Sequence, residues 1–156
     1  SLFYLNFVDS KTAKYEWGSF LRSNEHENWA GHVFELLCSM HSEQIEYALR
    51  IKNAKKNYMW FGESPSGKGA QIDMVITAPL ERTDYICEMK YSENKFAISS
   101  DYRERLCNKI DAFRNCSQHK SSHSILLVMV TTLGLTNSIN NDKVNISLTL
   151  DDLLAF

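Results

Sequence analysis

The spacing of apolar residues along the chain changes from a helical period to a strand-like one, and back, several times. Apolar residues three and four positions apart predict helices at 28–40, 42–51 and 100–115, with a closing helical turn at 151–156. Short runs rich in β-branched and aromatic residues predict strands at 57–61, 70–77, 84–91, 124–132 and 144–148. This order predicts an α/β domain with a central mixed sheet flanked by helices.

Several of these elements also show how they pack. The first predicted helix has an apolar stripe that consists of Trp29, Val33, Leu36, Leu37 and Met40. The helix at 100–115 has Ser99 or Ser100 as its cap and inward residues Tyr102, Leu106, Ile110 and Phe113. The strands at 70–77 and 84–91 are joined by a link that suits an antiparallel hairpin rather than a crossover. The strand at 124–132 is apolar almost throughout and is predicted to be central and buried.

Length and composition limit the classes of protein to consider. With 156 residues, of which 44% are hydrophobic and 23% charged, the chain has the balance of one soluble globular domain. Its net charge of −2 gives no overall basic bias toward nucleic acid, although a local basic patch is compatible with it. No apolar run approaches the roughly 20 residues that span a membrane. Cys38 and Cys87 lie in apolar patterns, which fits buried free thiols in a reducing cytoplasm.

The start of the chain predicts how it is organised. The sequence begins with Ser1, enters an apolar and aromatic segment at once, and lacks the basic start and cleavage site of a signal peptide. We expect residues 1–22 to be the tail of an upstream region together with a linker. Residues 23–156 then form the domain itself.

Three charged residues stand out because they lie in strands that are otherwise largely apolar. Asp73 lies in one predicted strand, and Glu88 and Lys90 lie in the next. Because strand side chains alternate between faces, Glu88 and Lys90 share one face while Cys87 and Met89 share the other. An ionised side chain in such a strand is costly unless it is paired or bound to a metal.

Two explanations fit this placement. In the first, Asp73 and Glu88 bind a divalent metal ion, and Lys90 orients or deprotonates an attacking water. In the second, Lys90 forms a cross-strand salt bridge with Asp73 or Glu88, and the three residues are structural. A further acid, Glu35, lies beside apolar residues on the first helix. It is either a third acid at the metal-binding edge or a partly exposed helical glutamate.

Residues 62–69 match the GxxxxGK pattern of a phosphate-binding loop but lack two of its features. Gly69 stands where Ser or Thr would bind Mg²⁺, and a strand follows where a phosphate-binding loop requires a helix N-terminus. We therefore predict a hairpin turn, with Lys68 near a phosphate.

Cys116, His119 and His123, with Cys107 upstream, have a spacing that superficially resembles a zinc site. No CxxC pair supports such a site, and the segment around the histidines is polar. We predict an exposed loop there.

Lysines supply candidate contacts to DNA phosphates. The cluster of Lys52, Lys55 and Lys56, followed by Tyr58 and Trp60, is the better candidate for a DNA-facing edge. In the helix at 100–115, acidic residues interleave with the basic ones, which indicates a largely solvated, salt-bridged face.

The order of these residues resembles the PD-(D/E)XK nuclease superfamily, whose fold is the restriction-endonuclease-like fold. The blocks that carry the resemblance are Gly31-x-x-Phe34-Glu35, Gly69-x-Gln71-Ile72-Asp73 and Cys87-Glu88-Met89-Lys90. More narrowly, the chain is similar to the C-terminal nuclease-like domain of a group of prokaryotic AAA+-type ATPases. That similarity extends to Asn108-Lys109, to residues 130–137 and to residues 150–153, and covers roughly residues 2–156. Ile72 stands where the family's name has Pro, a substitution that many members share.

The resemblance implies metal ligands at Asp73 and Glu88, the catalytic lysine at Lys90 and an accessory catalytic acid at Glu35. It also implies that Lys109 lines the site from its helix, as a candidate DNA contact. The implied activity is hydrolysis of DNA phosphodiester bonds with Mg²⁺ or Mn²⁺. The implied setting is a cytoplasmic protein, compatible with an oligomer, whose N-terminal region is an ATP-binding ATPase. Residues 1–22 would then be the tail of a winged-helix or ATPase region, together with a linker. Because some domains of this superfamily are inactive, the alternative is a DNA- or protein-binding module that regulates the attached ATPase.

Overall fold

The computed structural model describes residues 24–155, so the predicted tail at 1–22, Ser23 and Phe156 lie outside the described residues. Each predicted helix and strand is present, with ends that differ by a few residues. In chain order the elements are α1 (Asn24–Met40), α2 (Ser42–Ala48), β1 (Lys55–Glu63), β2 (Gly69–Ala78), β3 (Thr83–Lys90), α3 (Ser100–Arg114), β4 (Ser124–Thr131), a 3₁₀ helix (Ile139–Lys143), β5 (Ile146–Thr149) and α4 (Leu150–Leu154).

The strands form one five-stranded mixed sheet in the order β1-β2-β3-β4-β5. The first three strands are antiparallel, which confirms the predicted hairpin between β2 and β3. β4 pairs in parallel with both β3 and β5, so the connection from β3 to β4 is a crossover, and it contains α3. The prediction of an α/β fold with a central mixed sheet flanked by helices is confirmed.

Each face of the sheet has its own apolar core. On one face, α1, α2 and α4 contribute Phe34, Ile45 and Leu153 to a cluster with Met74 and Val128 of the sheet. On the other face, α3 packs over the strands. The buried residues of this second cluster include Trp60, Ile72, Val75, Ile86, Tyr102, Leu106, Phe113, Leu127 and Met129. The sheet is therefore covered on both sides, and a charged side chain along its middle strands has little access to water.

Helix α3 begins and packs as its sequence predicts. The Ser99 hydroxyl accepts a hydrogen bond from the backbone N–H of Tyr102 and caps the helix. Leu106 and Phe113 are fully buried, and Ile110 is partly buried against the same cluster. This fixed start and packing determine where the polar residues of α3 point.

Helix α1 packs with a different face from the one that its apolar stripe predicts. Ala30, Phe34 and Cys38 are buried, whereas in the predicted stripe Leu36 is 61% exposed and Met40 is 74% exposed. All five residues of that stripe are exposed: Trp29, Val33, Leu36, Leu37 and Met40. Shifting the buried face by one residue rotates the helix by about 100°.

Two stretches near the end of the chain, at residues 130–137 and 149–153, have local structural roles. After β4, the Thr131 hydroxyl accepts the backbone N–H of Gly134, which has a φ of +89° that favours glycine. At the start of α4, Thr149 and Asp152 form a capping box.

Cys38 and Cys87 are buried and free, as predicted. Among the described residues, no helix combines the length and apolarity that crossing a membrane requires.

Candidate active site

Strands β2 and β3 pair over only part of their length. Their ladder ends at the pair Met74 and Cys87. Beyond that pair, in the described chain, Glu88 and the residues after it pair with β4, and the start of β2 pairs with β1. The two strands therefore separate at Asp73 and leave a gap at one end of the sheet.

The Asp73 carboxylate lies in this gap. Its Oδ2 atom accepts a hydrogen bond of 2.8 Å from the backbone N–H of Met89 on β3. The side chain thus provides the hydrogen bond that a continued ladder would otherwise have supplied. Because a backbone group holds it, the carboxylate has a fixed position at the point where the strands separate.

The backbone around Asp73 departs from a regular strand. Met59, which stands opposite Asp73 on β1, is left out of the ladder and has a φ of +55°. Such a value is uncommon for a large side chain. In addition, Ile72 packs on the α3 face of the sheet, while Met74 packs on the opposite face, although a regular strand would place both on one face. This local irregularity turns Asp73 toward β3.

Glu88 is fully buried on the α3 face of the sheet. Lys109 of α3 places its Nζ atom 2.7 Å from Oε2 of Glu88. The second oxygen, Oε1, is buried and has no hydrogen-bond partner within the described part of the chain. Burial and then the negative charge of Asp73 raise the pKa of Glu88 to about 7, against the opposing effects of Lys109 and Lys90.

Lys90 shares the α3 face with Glu88, as the strand alternation predicts. Its Nζ atom lies 5.4 Å from the centroid of the Tyr102 ring, and the Arg105 guanidinium lies 5.3 Å from the same centroid. The ion pair to Glu88 comes from Lys109, not from Lys90 as the structural explanation expected. The reason is the position of α3, which brings Lys109 over Glu88 near the C-terminal end of β3.

A pocket of about 340 Å³ opens at the gap between the strands. It is lined by Glu35, Lys68, Gly69, Ala70, Gln71, Asp73, Lys90, Arg105, Asn108 and Lys109. The Asn108 amide donates a hydrogen bond of 3.1 Å to the carbonyl oxygen of Gly69, which ties the hairpin turn at 62–69 to α3. The predicted site residues Glu35, Asp73 and Lys90 line this pocket, and buried Glu88 is connected to it through Lys109.

Glu35 lines the α1 side of the pocket. Its carboxylate is partly buried, and Nδ1 of His32 lies 3.9 Å from its Oε2 atom. Burial and the charge of Asp73 raise the pKa of Glu35, while His32, Lys90 and Lys109 lower it. The negative charge of Asp73 therefore raises the pKa of both Glu35 and Glu88.

The carboxylates suit a divalent cation of the Mg²⁺ type. Mg²⁺ usually takes one or two protein carboxylates and completes its coordination with water and phosphate oxygens. Glu88 has a buried oxygen without a hydrogen-bond partner in the described chain, and the carboxylate of Asp73 lies beside the next residue along β3. Within residues 24–155, no three His, Cys, Asp or Glu side chains form a group that could hold one ion.

The lysine cluster predicted as a DNA-facing edge lies away from the pocket. Lys52 and Lys55 are exposed, and Lys56 forms an ion pair of 2.6 Å with Glu46. Lys55 stands opposite Thr77, four positions along β2 from Asp73, or about 13 Å away at 3.3 Å per residue. Of the predicted DNA contacts, the structure brings only Lys68 and Lys109 to the pocket.

A second buried carboxylate lies at the other end of β3. Nδ1 of His119 lies 2.8 Å from one oxygen of the fully buried Asp84, and Nδ1 of His123 lies 3.3 Å from the other. The two histidine side chains are 9% and 5% exposed, so the prediction of an exposed loop is wrong for them. The polar composition of the loop hid their burial. The feature of the sequence that could have indicated this burial was Asp84, a charged residue at the start of an apolar strand.

Comparison of the chain with protein-family models, with curated proteins and with solved structures finds no match. The chemistry of the site is therefore the basis for a functional conclusion. The pocket combines two carboxylates, a third buried behind Lys109, and several cationic side chains. Such a combination suits a divalent cation next to a phosphoryl group.

Proposed function

We propose that this domain is a metal-dependent nuclease of the PD-(D/E)XK type, which hydrolyses DNA phosphodiester bonds. One observation carries the proposal. Asp73 lines the pocket where β2 and β3 separate, and Glu88, buried behind Lys109, keeps one oxygen without a hydrogen-bond partner in the described chain. A purely structural acid pair would be expected to satisfy its buried oxygens internally.

The lining of the pocket supports a phosphate-containing substrate. Lys68, Lys90, Arg105 and Lys109 bring positive charge to a pocket in a chain whose net charge is −2. Arginine and lysine are the usual partners of phosphate oxygens in protein–DNA contacts. Four cationic side chains thus line the pocket beside Glu35 and Asp73, and they form a local basic patch of the kind with which the net charge is compatible.

Each residue has a distinct role in the proposed reaction. A Mg²⁺ ion held by Asp73 and Glu88 would polarise the phosphoryl group and make its bound water more acidic. Lys90, on the same face as Glu88, orients or deprotonates the attacking water. Glu35, across the pocket, is an accessory acid that adjusts the charge around the reacting group. The Met89 N–H keeps the Asp73 carboxylate in place throughout.

We also propose, from the sequence resemblance alone, that the domain is attached to an ATPase region of the same protein. In that arrangement the ATPase controls when the nuclease pocket meets DNA. A test is the DNA cleavage rate of the full-length protein with ATP and with a non-hydrolysable analogue. Equal rates would show that the two activities are independent.

The central experiment is cleavage of supercoiled plasmid and of end-labelled duplex DNA with Mg²⁺ or Mn²⁺. We expect cleavage by the wild type and loss of at least about a hundredfold in rate for Asp73→Asn and Glu88→Gln, which remove the proposed ligand charges. Glu81→Gln is the matched control, because Glu81 is an exposed acid in the hairpin turn at the far end of β2. Equal cleavage by the wild type and both site variants would contradict the proposed mechanism.

One observation favours the second candidate, a non-catalytic module that binds DNA or protein and regulates the attached ATPase. Lys109 already provides Glu88 with a positive partner, so the acid is neutralised without a metal. This candidate predicts no thermal stabilisation by Mg²⁺, no nicking, and ligand binding that survives Asp73→Ala. The same protein samples therefore distinguish the two candidates.

A further inference from the structure

We propose that Lys109 is an exchangeable counter-ion. It neutralises Glu88 when no metal is bound and is released to bind a phosphate oxygen of the substrate when a divalent cation enters. This inference deepens the proposed function and rests on it. It makes Lys109 a substrate-binding residue whose availability depends on the metal.

The geometry around Glu88 is the first argument. Lys109 is the direct partner of one carboxylate oxygen at 2.7 Å, while the other oxygen is buried without a partner in the described chain. A cation that binds this carboxylate therefore either shares it with an ammonium group or displaces that group. Two positive charges on one carboxylate repel each other strongly where water is excluded.

The position of Lys109 is the second argument. Its side chain is 18% exposed and lines the pocket, so it reaches from the buried carboxylate to open space. A lysine ammonium is a compact charge on a flexible stem of four carbons. It can therefore leave Glu88 by rotation of its own side chain, without movement of α3.

The neighbours of Lys109 in the pocket are the third argument. Arg105 lies one turn earlier on the same helix, and Lys68 lies on the hairpin turn that Asn108 ties to α3. A released Lys109 therefore joins a group of cations that already face the pocket. An anion is the ligand that such a group would attract.

Lys90 does not fit this role equally well. Its ammonium group lies over the ring of Tyr102, a contact that a metal at Glu88 does not compete for. Of the two lysines, only Lys109 contacts Glu88, the proposed metal ligand. Substitution of Lys90 is therefore a matched control for substitution of Lys109. The inference predicts that metal binds first and the phosphate of the substrate second.

The first test observes Lys109 directly in the wild-type protein. Lysine Nζ resonances are followed by NMR during a Mg²⁺ titration at pH 8, and those of Lys109 and Lys52 are assigned from Lys109→Gln and Lys52→Gln. We expect the Lys109 signal to move from a distinct, ion-paired position toward that of exposed Lys52, which should not change. A Lys109 signal that stays unchanged at saturating Mg²⁺ would overturn the exchange.

The second test measures Mn²⁺ affinity by calorimetry at pH 8 for the wild type, Lys109→Met, Lys109→Gln and Lys90→Met. Removing a competing charge should tighten Mn²⁺ binding by about tenfold or more in both Lys109 variants. Lys109→Gln keeps a hydrogen-bond donor for Glu88, so it remains informative if Lys109→Met does not fold. Lys90→Met should change the affinity less than either.

The outcomes separate this inference from the proposed function. Mn²⁺ binding that is tighter in the Lys109 variants than in the wild type supports the exchange. Mn²⁺ binding that is detected in these variants but not in the wild type also supports it. Wild-type binding that weakens or stays equal when Lys109 is replaced overturns the exchange and leaves the proposed metal site intact. No Mn²⁺ binding in any of the four proteins overturns both.

Discussion

The carboxylate of Asp73 accepts a hydrogen bond of 2.8 Å from the backbone N–H of Met89, at the point where β2 and β3 stop pairing with each other. This contact gives one side chain two roles. The carboxylate replaces a hydrogen bond that is missing between β2 and β3, and it presents a negative charge to the pocket. Substitutions at Asp73 should therefore separate into those that remove the charge and those that also remove the acceptor.

We expect Asp73→Asn to lose metal binding while keeping most of the stability, because an amide oxygen can still accept the Met89 N–H. Asp73→Ala should cost about 1–3 kcal/mol more, since it leaves a backbone donor without its partner. Urea unfolding of both variants without metal measures the difference. Equal stability of the two variants would show that the hydrogen bond contributes little.

The stability of the metal-free domain should fall as the pH rises from about 4.5 to about 7, because of Glu88. Burial and the charge of Asp73 raise its pKa from 4.5 to about 7 in the folded protein. A carboxyl group whose pKa is raised on folding stabilises the folded state fully below pH 4.5, and this contribution is lost as the pH passes the folded value. The loss by pH 8 is about 3 kcal/mol at 1.36 kcal/mol per pH unit.

Urea unfolding at pH 5 and pH 8 measures this effect in the wild type and in Glu88→Gln. Glutamine does not titrate, so the variant should lose less stability between the two pH values. Glu81→Gln is the control and should retain the pH dependence of the wild type. If Glu88→Gln and the wild type respond identically to pH, the carboxyl group is not the cause.

Divalent metal should raise the melting temperature of the domain, and more so at high pH. A ligand at 100 times its Kd stabilises the folded state by about 2.7 kcal/mol. Metal binding requires ionised Glu88, whose pKa is about 7, so the stabilisation by Mn²⁺ should be larger at pH 8 than at pH 6. Thermal melts at both pH values measure it, and Glu88→Gln should show no such stabilisation.

Lys109→Ala should destabilise the metal-free domain more than Lys90→Ala. Removing Lys109 leaves Glu88 buried without its ion-pair partner, whereas removing Lys90 loses a contact with the Tyr102 ring that is typically about 0.5–1 kcal/mol at an exposed site. The difference should be larger at pH 8 than at pH 5, because a protonated Glu88 tolerates the loss. A greater loss for Lys90→Ala in urea unfolding would favour the cross-strand salt bridge of Lys90, which was one of the two explanations drawn from the sequence.

The buried carboxylate at the other end of β3 should be structural. Asp84→Ala removes the acceptor of both His119 and His123, and we expect a loss of about 2–4 kcal/mol, because buried donors are left without partners. Mn²⁺ affinity, measured at a temperature where the variant is folded, should stay at the wild-type value. A change in affinity would show that the two ends of β3 are coupled.

The spacing of apolar residues identified the helices and strands, because most of these elements bury the face on which apolar residues recur. Leu106 and Phe113 of α3 repeat at helical spacing and are buried, and the hairpin between β2 and β3 follows from its short link. In α1 the same reasoning selected the wrong face. Ala30, Phe34 and Cys38 also recur at helical spacing, and local sequence does not say which of two stripes meets the sheet.

The candidate site was predictable only in part. Charged residues in apolar strands pointed to Asp73 and Glu88, because burial of charge needs a reason. The partner of Glu88 was not predictable from spacing, since Lys109 follows it by 21 positions and reaches it only through the packing of α3. The hydrogen bond to the Met89 backbone leaves no signal in side-chain identity at all.

The pocket-lining residues come from the middle of the chain, between Glu35 and Lys109. β4 and β5 lie outside that stretch and contribute to the described site only by supporting β3. Within the described chain, β2, β3 and α3 therefore carry both core residues and candidate site residues, whereas β4 and β5 carry core residues without lining the pocket. If the proposed cleavage were lost in a lineage, substitutions should accumulate first at Lys90 and Glu35, while a hydrogen-bond acceptor at position 73 and the apolar pattern of β4 persist.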